Sequence, residues 1–516
     1  MVAVPFLMEH AERREHKLPK AECVNLYAEP TGTATWAPVT LHAMPGLKVW
    51  SDLTATTLDV EGVSGTPAFR GVYYKAGVFD GRIVALYGER VLLIDPNTGA
   101  ATRIAGLINN DEAFTVINTG NGFQAGTNTT LTNATLVSGE LARFAGDNDE
   151  VMMVAAGRLY RITVDESETA TIRRANWVSR YQGGERLPDI VDLDYLNGWF
   201  IYVFADGRFG WSRVNDGDTI NALDFASPDS QPDKLRSVMV VGDEVFLFGD
   251  ETIESYVNVA DPDAPFQRRP GGTILQGILS CQAKCQADNS FFWVGHDGIV
   301  YRMGGAATAI STPGIEEAIA RLATANCQAN VRLWPMIWRG HIFVVLDLPN
   351  VGSYAFDIRT QRWIKLETRG QALYRGRDYM RVGRRDVIVD RYKPRLLEMD
   401  PATHTDPDGG EIRYAATAHL RQAPRNTRIN SAVVIGSKGL GTKPLEAPVA
   451  KISASLDGGQ SYGEPKLAGL GGVGQTGFRT KVTKFARVED EGCVIKVEIT
   501  DPVEGLRLDA IKVNEK

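Results

Sequence analysis

Residues Phe209 to Met303 read FGWSRVNDGDTINALDFASPDSQPDKLRSVMVVGDEVFLFGDETIESYVNVADPDAPFQRRPGGTILQGILSCQAKCQADNSFFWVGHDGIVYRM. Short β-branched and aromatic runs alternate there with clusters of Gly, Pro, Asn and Asp, a pattern of closely spaced strands and turns rather than helices. Two hairpins share one design. In the first, Val238 to Val241 leads through Gly242-Asp243 into Val245 to Phe248; in the second, Phe291 to Val294 leads through His296 to Gly298 into Ile299 to Arg302. The first turn uses Gly and Asp because a tight hairpin holds residues at positive φ, where a Cβ collides with the backbone.

Outward from this stretch, the same unit of turn and apolar strand recurs between about residues 71 and 400. Marked by Ile83, Val151, Trp199, Val245, Phe292, Ile342 and Val387, the intervals are 68, 48, 46, 47, 50 and 45 residues. A period in the forties with several strands per unit is the signature of β-propeller blades, each a small sheet that buries its faces against its neighbours. Seven marks predict six or seven four-stranded blades. The long first interval contains Asn118 to Ser138, rich in Gly, Thr and Asn, which reads as an inserted loop. A closed ring is favoured over an open row of meanders because closure removes exposed sheet edges.

The expected organisation is an irregular amino-terminal segment (1–70), a β-propeller (71–402) and a small carboxy-terminal β domain (403–516). The second boundary is set by the Pro, Asp and Gly cluster from Thr403 to Glu411. One helix is predicted from Thr312 to Leu322, with Thr312 as cap, Pro313 at the first helical position, and Ile315, Ile319 and Leu322 on one face.

The chain has 516 residues, 43% hydrophobic and 23% charged, with a formal net charge of -7 and mean hydropathy of -0.17. This composition fits a folded soluble chain without a membrane span and excludes a nucleic-acid binder of the basic kind. The start, MVAVPFLMEHAERREHK, has its charges after its apolar run, the wrong order for a secretory signal, so synthesis in the cytoplasm is expected. Cys23, Cys281, Cys285, Cys327 and Cys493 are an odd, scattered set and are expected to be reduced thiols. Cys281, Cys285 and His296 lack a second pair to complete a zinc site, so no metal is assigned.

Ser455 to Tyr462, SLDGGQSY, fits the Asp-box pattern, in which an Asp accepts hydrogen bonds from the amides of its own turn. Asp boxes also occur on sialidase propellers, so a saccharide-binding or sialidase-like protein is the alternative reading. Only one copy is present, outside the repeat, and a hairpin motif does not specify a reaction. The seven histidines form no nucleophile motif, and the Gly-rich run 469–474 precedes no helix with the residues of a phosphate cradle. No catalytic residue, cofactor or enzyme activity is therefore expected.

From Arg359 to Arg395, twelve Lys and Arg accompany four Asp and Glu, and an acidic stretch with Glu398, Asp400, Asp406, Asp408 and Glu411 follows. Adjacent blocks of opposite sign suit a ring in which the basic face of one copy meets the acidic face of the next. Arg375, Arg377, Arg381, Arg384 and Arg385 are the interface candidates; pairing within the chain or solvation is the equal alternative.

A family resemblance runs through the same residues. Asp224-Phe225-Ala226-Ser227 with Pro232-Asp233, Val245 to Gly249 with Glu254, Pro265 to Arg268, and Asp288 to Gly295 resemble the central signature of the packaged-DNA stabilisation proteins, the tail hub or nozzle family of short-tailed phages (podoviruses). Cys23 to Glu29 with Pro45-Gly46-Leu47, Ile310 to Glu316, Gly477 to Arg487, and Asp501 to Val503 with Leu508 and Ala510 are similar to further family patterns, so the resemblance covers nearly the whole chain. The resemblance implies a virion tail protein made in the host bacterial cytoplasm and assembled as a homo-hexameric C6 ring below the portal-tail adaptor. Such a hub extends the DNA channel, retains packaged double-stranded DNA without reading its sequence, takes part in DNA ejection, and offers docking surfaces to a tailspike or tail fibre and a distal needle or plug. A ring of six negative copies would let DNA slide, since few phosphates would be paired by Lys or Arg.

Overall fold

The computed structural model describes residues 2–11, 20–30, 39–53, 68–87, 90–103, 116–118, 123–125, 142–147, 149–155, 157–164, 170–174, 189–217, 220, 225–227, 233–261, 264–322, 324, 328–420, 427–440, 447–488 and 492–514. It is an all-β molecule built around a propeller. Among the described residues, seven antiparallel four-stranded blades lie at 69–103, 143–174, 190–226, 235–274, 284–309, 332–366 and 376–400, the sixth being part of a nine-stranded sheet and the last completed by a strand from the amino-terminal stretch. The expected six or seven blades resolve to seven. All seven sequence marks fall on the second strand of their blades: Ile83–Tyr87, Glu150–Ala155, Trp199–Phe204, Glu244–Gly249, Ser290–Val294, His341–Leu348 and Arg385–Asp390. The predicted inserted loop, Asn118 to Ser138, lies outside the described residues apart from a short hairpin pairing Val116–Asn118 with Phe123–Ala125.

These second strands read as continuous apolar runs because both of their faces are buried. In the second blade, Val151 and Met153 pack towards the first blade while Met152 and Val154 pack towards the third. In the third, Phe200, Tyr202 and Phe204 face the second blade, and Ile201 and Val203 face the fourth. The alternation continues to the seventh blade, where Val387 and Val389 meet Ile83 and Ala85 of the first. The ring is therefore closed, and each large apolar side chain buried in its blade interfaces contributes about 1.5–3 kcal/mol.

Closure uses a strand from the far end of the chain. Gly46–Asp52 pairs antiparallel with Arg395–Asp400 and becomes the fourth strand of the seventh blade. It leaves the seventh blade no bare edge along that strand, the liability that propellers avoid. A side chain at Gly46 would not fit: its Cβ would lie 2.1 Å from the Thr403 carbonyl oxygen.

The remaining strands form two sheets over a common core. One runs outward from the sixth blade. Arg362–Leu366 pairs with Cys23–Val24, which pairs with Tyr414–Leu420, followed by Cys493–Ile499, Val449–Ser455 and Lys466–Gly469. The second joins Val2–Pro5, Leu26–Pro30 and Val39–Ala43 to Arg507–Val513, Arg428–Gly436 and Lys481–Arg487. Backbone hydrogen bonds thus continue from propeller to carboxy-terminal strands without a linker.

The helix spans Pro313–Ala320 and buries Ile315 and Ile319 against the fifth and sixth blades. Thr312 stands at the cap position but its side chain makes no cap hydrogen bond. Ser311 Oγ donates instead to Glu316 Oε1 at 2.9 Å and accepts the Val300 amide at 3.2 Å, tying the helix start to the fifth blade.

Candidate functional site

Each innermost strand places one residue opposite the penultimate residue of the second strand. Around the ring these are Gly71, Arg143, Asp192, Ser237, Lys284, Arg332 and Asp378. The layer is charged and cross-linked. Asp192 accepts Lys284 Nζ at 2.9 Å and the Val238 amide at 3.1 Å, lies 3.5 Å from Arg143 Nε, and accepts the Ser237 hydroxyl. Arg332 Nη2 lies 2.7 Å from Asp378 Oδ2. Lys284 belongs to the fifth blade and Asp192 to the third, so this pair spans the fourth across the axis. Burial alone would raise the Asp192 carboxyl, but Lys284 and Arg143 outweigh it and hold the group below the usual carboxylate range. Paired side chains thus link the second, third, fourth and fifth blades, and the sixth to the seventh, along the axis, an arrangement that pins blades to one another.

The five candidate arginines fall into three environments. Arg375 is buried and holds three carboxylates: Nη1 to Asp390 at 3.1 Å, Nε to Asp406 at 2.9 Å and Nη2 to Asp408 at 2.9 Å. Arg377 is buried near the axis beside Arg332 and Arg391. Neither offers a surface to another copy, because each guanidinium is enclosed by its own chain. Arg381 and Arg384 are exposed. Arg385 is half-buried, its guanidinium 5.5 Å from the centre of the Trp50 ring and donating to the Pro96 carbonyl at 3.4 Å. Arg384 and Arg385 line a cleft of about 650 Å³ between the seventh and first blades, with Tyr74, Asp80, Asn97 and Glu398.

Much of the acidic stretch expected to face these arginines is engaged inside the chain. Asp408 also pairs with Lys393 at 2.8 Å and Arg395 at 2.7 Å, and Glu411 pairs with Arg369. Asp400 accepts the Ala402 amide at 2.9 Å and the Thr403 hydroxyl at 2.9 Å in its own turn.

A junction that the charge pattern did not point to lies at Asn25 and Arg413. Asn25 is buried at φ +53°. Its Nδ2 donates to the carbonyls of Glu367 and Arg413 at 3.0 Å each, while its Oδ1 accepts the Glu367 amide at 2.9 Å. Arg413 contacts Glu22 at 3.0 Å, Glu367 at 3.2 Å and Glu498 at 2.9 Å, joining the amino-terminal strand, the sixth blade and the carboxy-terminal sheet. The readable signal was the segment Cys23-Val24-Asn25-Leu26-Tyr27; Arg413, just before strand Tyr414–Leu420, carried none.

The Asp box folds its own turn. Asp457 accepts Ser455 Oγ at 2.6 Å and the amides of Gln460 and Ser461 at 3.0 and 2.9 Å, and these bonds hold its carboxyl low against its slight burial. Tyr462 is covered by Lys496 Nζ, 3.9 Å from the ring centre. The carboxylate is thus occupied within the hairpin. Among the described residues no group of three or more His, Cys, Asp and Glu is placed to hold a metal ion. Cys23, Cys281, Cys285 and Cys493 are free thiols, and burial pushes Cys23 up to about 12. No described helix is long and apolar enough to cross a membrane.

The family model described as Bacteriophage P22 Gp10, beta-propeller, matches residues 105–404, from the approach to the second blade to just past the seventh. The chain belongs to this phage stabilisation family. Membership makes it a phage structural protein of the virion. No curated protein matches the chain. Among solved structures, the crystal structure of the computationally designed Ika8 protein is similar at 10% identity, with a TM-score of 0.39, over 69% of this chain and 100% of that one.

Proposed function

We propose that this protein is the tail hub, or nozzle, of a short-tailed phage, with no enzymatic activity. Six copies form a closed C6 ring below the portal-tail adaptor, and residues 71–402, completed by strand Gly46–Asp52, and 403–516 act as its two β units. Membership of the phage stabilisation family carries the reading. The ion pairs that link blades across the propeller axis support a specific form of it: DNA runs through a lumen between subunits, not through any one propeller. The continuous sheet from the sixth blade into the carboxy-terminal strands supports a stiff subunit suited to a conduit under pressure. Tailspikes or fibres and a distal plug dock on the outer surfaces of the assembled ring.

Deleting the gene and inducing particle production tests this. The expected result is heads that fill and then leak DNA, with tails ending at the adaptor. Complete tails that keep their DNA but fail to infect would overturn the hub reading and move the protein to a receptor-binding role.

A further inference from the structure

We propose that the propeller axis holds one small inorganic oxyanion, of the phosphate or sulfate class, against the guanidinium groups of Arg332, Arg377 and Arg391. Arg377 is 6% exposed, its Nε has no acceptor, and among the described residues no carboxylate is paired with it. Its two neighbours are satisfied. Arg332 holds Asp378 at 2.7 Å, and Arg391 binds Asp347 and the carbonyls of Gly376 and Tyr374, each at 3.1 Å. Three guanidinium groups therefore share two carboxylates. The rest of the axial layer adds Arg143 and Lys284 against Asp192, which leaves the positive excess in place.

Arg377 reaches this position through its backbone. It is the extra residue of a β-bulge between Gly376 and Asp378, and bulges re-aim a side chain relative to the regular strand. The fourth blade bulges at the equivalent residue, Arg236, but that arginine has Asp250 as its partner at the surface. Burial, then the charges of Arg332 and Arg391, push Arg377 down to about 9, which still leaves it cationic at neutral pH. A buried guanidinium cannot shed its proton there and requires a counter-charge. The planar fork of Arg matches two oxygens of a tetrahedral anion, so an oxyanion suits Arg377 better than a point ion, with Arg332 and Arg391 adding positive charge beside it.

The test uses the full-length protein dialysed against a bulky organic anion, then titrated with sodium sulfate and separately with inorganic phosphate at constant ionic strength. The expected wild-type response is an anion-specific component that sets in at low concentration, once the anion exceeds its dissociation constant, each further tenfold then raising Tm by roughly 1 to 3 °C. Arg377→Gln should lose that component while keeping the general salt response. Crystals of the wild type soaked in selenate should show one anomalous peak within hydrogen-bond distance of Arg377, a readout independent of whether the variant folds. Absence of that peak, a peak from bromide in its place, or the same anion-specific rise in a folded Arg377→Gln protein would overturn the assignment.

Discussion

At Arg375 a single guanidinium compensates Asp390, Asp406 and Asp408 in a buried setting. Replacing it leaves three carboxylates without their shared cation, so Arg375→Ala is expected to lower stability by about 3–5 kcal/mol, read from urea midpoints. Asp408 adds a pH dependence. Hydrogen bonds from Lys393 and Arg395 and the charge of Arg375 hold its carboxyl well below the usual range, overcoming the opposing effect of its burial. A depressed folded-state pKa stabilises the fold fully above the unfolded value, about 3.9, and that contribution is lost as pH falls through the folded value. The acid limb of the stability curve should therefore be shallower in Asp408→Asn than in wild type; identical limbs would assign the acid sensitivity elsewhere. Charge counting offered pairing within the chain and a ring contact as equal alternatives and could not say which arginine takes which role. The excess of twelve basic over four acidic residues between Arg359 and Arg395 is real, but folding brings Asp406 and Asp408 back onto Arg375, and strand alternation turns some side chains inward and others out.

At the scale of elements, strand Gly46–Asp52 is the closure device of the ring. Gly46→Val would drive a side chain into the Thr403 carbonyl, and overpacking of this kind costs about 1–3 kcal/mol. Hydrogen exchange should quicken in Arg395–Asp400 and along the first-to-seventh blade contact before it changes in the third or fourth blade. Uniform exchange through the molecule would mean that the strand is not the closure. The seven second strands were legible because each carries a turn followed by residues buried on both faces, and the hairpin at Gly242 adopts φ +62° as the turn chemistry requires. The closure strand was not, since Gly46 to Asp52 is a short run whose partner lies some 350 residues away, and no local periodicity encodes a partner. The helix shows the same division: its apolar face was readable from spacing, while its capping through Ser311 and Glu316 depended on the fifth blade beside it.

At the scale of the molecule, the shared sheet and the Asn25–Arg413 junction couple the propeller to the carboxy-terminal strands. Calorimetry of the wild type is expected to show one cooperative transition, with Arg413→Ala splitting it in two as Glu22, Glu367 and Glu498 lose their common cation. Two transitions already in the wild type would show that the sheet does not transmit cooperativity. For assembly, the exposed pair Arg381 and Arg384 is the informative substitution, because Arg385 also supports Trp50 and the Pro96 loop. If the proposed C6 ring uses this face, Arg381→Glu with Arg384→Glu should lower its formation in sedimentation while leaving the melting temperature of the monomer unchanged. Rings that form as in the wild type would remove this face from the contact.

By itself the sequence determined the all-β class, the period of the blades and the position of their second strands, because turn chemistry and two-sided burial are local properties that leave local marks. Tertiary structure decided the number seven, the use of an amino-terminal strand to close the ring, the ion pairs along the axis and the split fate of the five arginines. Those features depend on which distant residues meet, and a charge or an apolar run carries no record of the residue that will lie opposite it.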